Sequence, residues 1–199
     1  MPTAAVPDTR RRILDMALSL FSEHGFERTT LQEIADRLGF TKAALYYHFP
    51  SKDDLLEALI APALTEIDQL LDAYEAMADS PARRRAFMQE YLDYLLRHRR
   101  VIAYITRDLA TRAHPLIASQ NDERRGRLEA MLLGDQLDLN EKVRVAMTFG
   151  GVHAVIAQYP DAPDEELHDA LRAAANTLLR ARPRGRPSAP RSRQPAHRS

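Results

Sequence analysis

An all-α fold is what this sequence predicts, and three observations predict it. Glycine is scarce, seven in 199 residues, while alanine, leucine and arginine, all good helix formers, are the commonest residues. Apolar side chains recur at three- and four-residue spacing along most of the chain, with no convincing stretch in the alternating pattern of a half-buried strand. The breaks between those stretches fall on cap and turn residues. Hydrophobic residues make up 45% of the chain, enough to bury a proper core.

Each element follows from its punctuation. A first helix starts at Asp8 or Thr9 as cap and presents Ile13, Leu14, Ala17, Leu18, Leu20 and Phe21 at helical spacing. Gly25 ends it, as a residue free to take a positive φ. A second helix opens at Thr30, where T-x-x-E with Glu33 reads as a capping box, and buries Leu31, Ile34, Ala35 and Leu38 before Gly39 stops it. Thr41 caps a third helix that runs to about Phe49, and Pro50 interrupts. Ser51 then caps a fourth, with Asp53 and Asp54 in its positive first turn. This helix runs to about Met77, and Pro62 either kinks it or marks a restart. Five more helical stretches follow near 81–97, 99–113, 116–133, 139–158 and 164–181, separated at Ser80-Pro81, His114-Pro115, Gly134-Asp135 and Tyr159-Pro160. Residues 183–199, rich in Pro, Arg and Ser, read as a disordered basic tail.

Composition narrows the function classes. With no cysteine, disulfides, thiolate zinc sites and a cysteine nucleophile are excluded. The N-terminal stretch lacks the apolar core of a signal peptide, and the longest uncharged run, Val145 to Pro160, is too short and too polar to span a bilayer. A soluble cytoplasmic chain is the expectation. The net charge of zero hides an uneven distribution. Residues 1–60 hold seven Lys and Arg against nine Asp and Glu, whereas residues 180–199 hold seven arginines and no acid. A nucleic-acid contact in this chain must rely on locally placed cations.

Residues Thr30 to Phe49 form the outline of a helix-turn-helix, two short helices joined through Gly39. The second of them reads T-K-A-A-L-Y-Y-H-F. It is small and polar at its start, where a backbone could approach base edges, then aromatic, with Lys52 beyond.

At these residues the sequence resembles the TetR family of one-component bacterial regulators. The resemblance covers roughly Arg11 to Leu59. It rests on I-L-D-M-A-L-S-L-F, Gly25-Phe26 ahead of T-T-L-Q-E-I-A-D-R-L-G, then T-K-A-A-L-Y-Y-H-F and P-S-K-D-D-L-L. It implies an N-terminal three-helix DNA-binding domain, residues 8–60, and a larger helical ligand-binding and dimerisation domain, residues 61–182. It further implies a homodimer that reads two half-sites of a palindromic operator in double-stranded DNA, most simply as a repressor released by a small-molecule effector. Thr41, Lys42, Ala43 and Ala44 open the recognition helix, with Lys42 able to donate to guanine and either alanine able to touch a thymine methyl. Many family members have glycine where Ala43 stands. Tyr46, Tyr47 and His48 match positions that touch sugar-phosphate, with the alternative that one aromatic, Tyr47 or Phe49, packs inside the small domain. Lys52 is a candidate phosphate clamp. Thr30 and Gln32 open the second helix toward a phosphate, and Thr30 can equally serve as a cap.

The remainder says less. Met88, Tyr91, Tyr104, Arg107 and His153 are candidate effector-binding residues in an aromatic, methionine-rich middle, set against ordinary core packing or a buried ion pair that would explain them equally. Val143, Met147, Gly150, Gly151 and Ala154 on one helix, and Leu167, Ala170, Leu171, Ala174 and Leu178 on the next, suggest a two-fold four-helix bundle, with packing inside one chain as the alternative. There is no phosphate-binding glycine loop, no H-E-x-x-H and no nucleophile elbow, so no cofactor, metal or enzymatic activity is expected. A helical protein whose helix-turn-helix binds another protein is the second alternative.

Overall fold

The computed structural model describes residues 9–133 and 138–180, and among these it contains helices and no strand. The helices are α1 (Thr9–His24), α2 (Leu31–Leu38), α3 (Lys42–His48), α4 (Lys52–Glu75), α5 (Pro81–Arg97), α6 (Arg99–Arg107), α7 (Leu109–Ala113), α8 (Pro115–Leu133), α9 (Leu139–Gln158) and α10 (Asp164–Arg180). None of them is long and apolar enough to cross a membrane. The expected basic tail and the cap residue Asp8 lie outside the described residues.

Capping chemistry sets most of the boundaries. Thr30, Thr41, Ser51 and Ser80 each accept a hydrogen bond from the backbone N–H three residues on, which satisfies one of the free donors of the helix that follows. Asp138 and Glu141 form a complete capping box at α9. At α2 the Thr30 half of the expected box is formed, while the Glu33 carboxylate sits 3.6 Å from His24 Nδ1. Gly25 and Gly39 take φ of 84° and 68°, a region that a side chain rarely tolerates. Through Gly39 the Phe40 N–H reaches back to Ala35 O at 2.9 Å and closes α2.

Two differences from the sequence expectation stand out. The fourth helix runs unbroken through Pro62, so there is no restart. The stretch 99–113 is two helices, because the chain turns extended at Asp108, whose carboxylate caps α7 by accepting from Ala110 N and Thr111 N.

Two apolar cores share α4. Leu55, Leu56, Leu59 and Ile60 face the first core, with Ile13, Phe21, Ile34, Leu45 and Phe49; Ala63, Ile67, Leu71 and Tyr74 face the second, with Phe87, Tyr91, Leu95 and Ile156. Exposed Pro62 lies at the changeover. The first core is not closed by α1–α4 alone, because Tyr104 from α6 and Ile117 from α8 complete it. Ion pairs fix α4 from outside. Arg124 of α8 makes a bidentate contact with Asp68 at 2.7 Å, and Arg127 holds Glu75 at 2.9 Å and Asp72. The Arg124 hydrogen bond holds the Asp68 carboxyl below its ordinary value against the opposing effect of burial.

Asp108 also reaches across to the first core, where its Oδ2 accepts from the buried Phe26 N–H at 3.1 Å. Asp108→Ala removes a helix cap and orphans a buried donor together. The expected loss is about 2–4 kcal/mol of unfolding free energy, read by urea denaturation. Asp161→Ala, at an exposed position, should change it by less than about 0.5 kcal/mol.

Candidate nucleic-acid interface

The pair α2–α3 is anchored from below. Leu45 of α3 is fully buried, and Phe49, just after it, is 1% exposed. With these plugs seated and Thr41 Oγ1 accepting from Ala44 N at 3.1 Å, the opposite face of α3 is held outward. Thr41, Lys42, Ala43, Ala44, Tyr46 and Tyr47 are all exposed, and His48 is half-buried. Phe49 is therefore the inward aromatic, and Tyr47, 86% exposed, is not. Lys42 Nζ lies 5.5 Å from the centre of the Tyr46 ring, one helical turn along. The surface so made carries small side chains and the Lys42 ammonium at its start and the phenols of Tyr46 and Tyr47 beyond.

The other expected contacts sit around it. Thr30 is exposed at the N-terminus of α2 while serving as its cap, so both of its expected roles are compatible with its position. Gln32 is exposed on the first turn and donates to Asp36 Oδ1 at 2.7 Å. Lys52 is more constrained than a solvated clamp. Its ammonium donates to Phe26 O at 2.8 Å and Glu27 O at 3.2 Å and lies 4.3 Å over the Phe26 ring, which ties α4 to the turn after α1. An ammonium has three donors, and the two carbonyls occupy two of them.

Contacts that the sequence reading missed brace the same surface. Arg10 Nη1 donates to His48 O at 3.3 Å with its guanidinium carbon 4.4 Å from the centre of the Phe49 ring, and the Arg12 guanidinium carbon lies 5.1 Å from the centre of the Phe40 ring. The run Arg10-Arg11-Arg12 ahead of an apolar helix was the available signal. Thr29 is fully buried and donates to Leu20 O and Gly25 O, a role that its neighbours in sequence do not reveal.

The five candidate effector residues separate into two groups. Met88 and Tyr91 belong to the second core and half-buried His153 lies beside them: the Tyr91 hydroxyl lies 3.4 Å from His153 Nε2, and His153 Nδ1 lies 2.9 Å from Phe149 O. The carbonyl requires the proton on Nδ1, which leaves Nε2 to accept from the tyrosine. Burial lowers the His153 pKa, so the ring is neutral near pH 7. Tyr104 is instead part of the first core, stacked 5.9 Å from Phe21 with its hydroxyl bonded to Thr111. Arg107 holds Ala157 O. These two line an open cleft of ≈ 1250 Å³ between α1 and α6, bordered also by His24, Arg100 and Asp164.

Known proteins resemble this chain over the same N-terminal stretch. The sequence profile of bacterial regulatory proteins, tetR family, matches residues 13–59. The HTH-type transcriptional regulator AcrR of Shigella flexneri is 42% identical over 69 residues, 35% of this chain and 32% of that protein. The HTH-type transcriptional repressor KstR2 of Mycolicibacterium smegmatis is 32% identical over 108 residues, 51% of each chain. The chain thus spans about a third to a half of the length of these curated relatives. Solved structures extend the likeness of fold. Mycobacterium smegmatis AmtR superposes with a TM-score of 0.67 at 25% identity, over 90% of this chain and 89% of that one. A transcriptional regulator from Aquifex aeolicus VF5 does so with 0.62 at 22%, over 86% and 99%. The profile match makes residues 13–59 similar to the bacterial regulatory proteins of the tetR family, and the solved structures share the helical architecture of the chain.

Proposed function

We propose that this chain is a DNA-binding transcriptional regulator that occupies a palindromic operator as a homodimer, acts in the cytoplasm and represses transcription until a small-molecule effector releases it. The observation that carries the reading is the outward face of α3. A helix with its start stripped to Thr41, Lys42, Ala43 and Ala44, and its base pinned by Leu45 and Phe49, has the shape and rigidity to enter a major groove. In this reading Lys42 addresses a base edge, Ala43 and Ala44 permit close approach, and Tyr46, Tyr47, His48, Thr30 and Gln32 contact the backbone. Lys52 adds its remaining donor to a phosphate. Residues 8–60 are the reading head and 61–182 the effector and dimer domain. Relatives named as a repressor, KstR2, and as a negative transcriptional regulator, IcaR of Staphylococcus aureus, favour repression.

The dimer reading rests on α9. Leu139, Val143 and Met147 are 76%, 46% and 59% exposed, and with Gly150 and Ala154 they form a continuous apolar and small-residue stripe. On α10, Leu167 and Leu171 turn into the chain's own core, which leaves Ala170 and Ala174 to a partner. The effector reading centres on Met88, Tyr91 and His153, with Tyr104 and Arg107 contributing at the cleft.

Two measurements follow. In gel-shift titrations with DNA flanking the chain's own gene, Lys42→Ala should lose about 1–3 kcal/mol of preference for its best sequence, whereas Lys52→Ala should weaken all sequences alike and lower the salt slope. Operator binding unchanged in both variants contradicts the assignment. Met147→Glu should convert a dimer to a monomer of unchanged helicity in sedimentation, because it places a charge in the middle of the stripe; a monomeric wild type contradicts the dimer.

A further inference from the structure

The open cleft between α1 and α6 has two unlike walls. On α6, Arg100, Ala103 and Arg107 all line it and share one helix face. The two arginines stand two turns apart, about 10 Å along the axis, with a small side chain between them. On α1, Asp15, Ser19 and Ser22 line the facing wall at the same spacing. Buried Leu18, Phe21 and Tyr104 add apolar surface to the lining.

The cations of this cleft have donors in reserve. Among the described residues, the Arg100 guanidinium makes no hydrogen bond. Its ion contact, with Asp15 at 3.6 Å, joins two side chains that are each more than half exposed. A contact so long and so wet contributes little. Arg107 gives one N–H to Ala157 O and has further N–H groups to offer. Two carboxylates nearby are by contrast engaged. Asp108 accepts from the N–H groups of Phe26, Ala110 and Thr111, and Asp164 pairs with Arg99 at 2.7 Å. A guanidinium with several N–H groups to give suits a carboxylate. Arg100 already draws one, that of Asp15, from across the cleft.

We infer that the cleft between α1 and α6 is a binding site for a short aliphatic dicarboxylate. One carboxylate takes the place of Asp15 on Arg100, the other engages Arg107, and the carbon chain crosses Ala103. The second charge defines the ligand class, because a single carboxylate engages one guanidinium and leaves the other in water. This gives the cleft's share of the effector reading, Tyr104 and Arg107, a ligand chemistry, and rests on that reading only for its consequence at the DNA. Asp15 belongs to the head and Arg100 to the body, so a ligand that takes Arg100 removes a contact between the two. Any change it makes in DNA affinity is returned equally by DNA on its own.

The test is isothermal titration calorimetry on the full chain without DNA, at fixed ionic strength. It compares adipate with hexanoate, the same carbon chain with one carboxylate fewer. The wild type should bind adipate about tenfold more tightly than hexanoate. Arg100→Gln and Arg107→Gln should each weaken adipate binding about tenfold, the effect of losing one charge-assisted contact. Asp15→Asn, which removes the competing carboxylate, should strengthen it about two- to fivefold. Arg85→Gln, at an exposed position of α5 outside the cleft lining, should leave it unchanged. Arg100 is exposed and its replacement leaves both cores intact, so the test holds even where the Arg107 variant misfolds. Absence of adipate binding overturns the inference, as does equal binding of adipate and hexanoate. Adipate affinity that survives Arg100→Gln, or that falls as far with Arg85→Gln, overturns it too, since that is a diffuse anion effect. A wild type that binds adipate as expected but shifts no DNA contradicts the operator reading and leaves the cleft site standing.

Discussion

The Phe26 ring joins the small head to the rest of the molecule, beside the Tyr104 and Ile117 contacts that close the first core. It is 3% exposed and is packed edge-on by Phe21 at 5.3 Å and by His114 at 5.4 Å, and the Lys52 ammonium covers it at 4.3 Å. Its N–H is held by Asp108 and its carbonyl by Lys52. Four separate parts of the chain thus converge on one residue of the turn between α1 and α2: the end of α1, the start of α4, the break between α6 and α7, and the start of α8. Close packing makes such a joint bistable rather than elastic, so a displacement of α6 or α7 must either carry the head with it or break the joint. That is the physical constraint under which any effector signal would reach α3.

The joint works together with α4. Because this helix supplies one half of its apolar face to each core, the two cores cannot shift independently along it. Its outer edge carries Glu66, Asp68, Asp72 and Glu75, and each is answered by a cation from a neighbouring helix. Arg124 is mostly shielded, so its bidentate pair with Asp68 is screened less than a surface pair and orients α8 against α4. At the far end, Arg83 donates to Tyr74 O and Met77 O and closes the helix where no glycine does. The result is a long rod held at both ends and along its flank. The cleft beside Tyr104 and Arg107 lies next to the joint, whereas Tyr91 lies in the second core with His153 Nε2 3.4 Å from its hydroxyl.

What was legible in the sequence was local. Thr30, Gly39, Thr41 and Ser51 mark helix ends because capping and positive φ are properties of a few adjacent residues, and the apolar spacing of α1, α2 and α4 picks out their buried faces directly. The outward face of α3 was readable for the same reason, since Leu45 alone breaks its small and polar character. The rest depended on contacts distant in sequence. The break at Asp108 is hidden because apolar residues continue on both sides, and its deciding partner, Phe26, is 82 residues away. Tyr104 looked like part of an aromatic pocket because nothing near it in sequence reports that it faces Phe21 across the joint. Leu167 and Leu171 lie on one apolar stripe with Ala170 and Ala174, and only the packed chain divides that stripe into an inner and an outer edge.

The account stands or falls on whether two copies of this head, each held by its Phe26 joint, present α3 to the same side of a duplex. Hydroxyl-radical protection of the DNA upstream of the chain's own gene measures this directly. The account predicts two protected tracts on one face of the helix, related by a dyad, with centres about 34–36 Å apart. A single tract, or protection that runs evenly around the duplex, would contradict it.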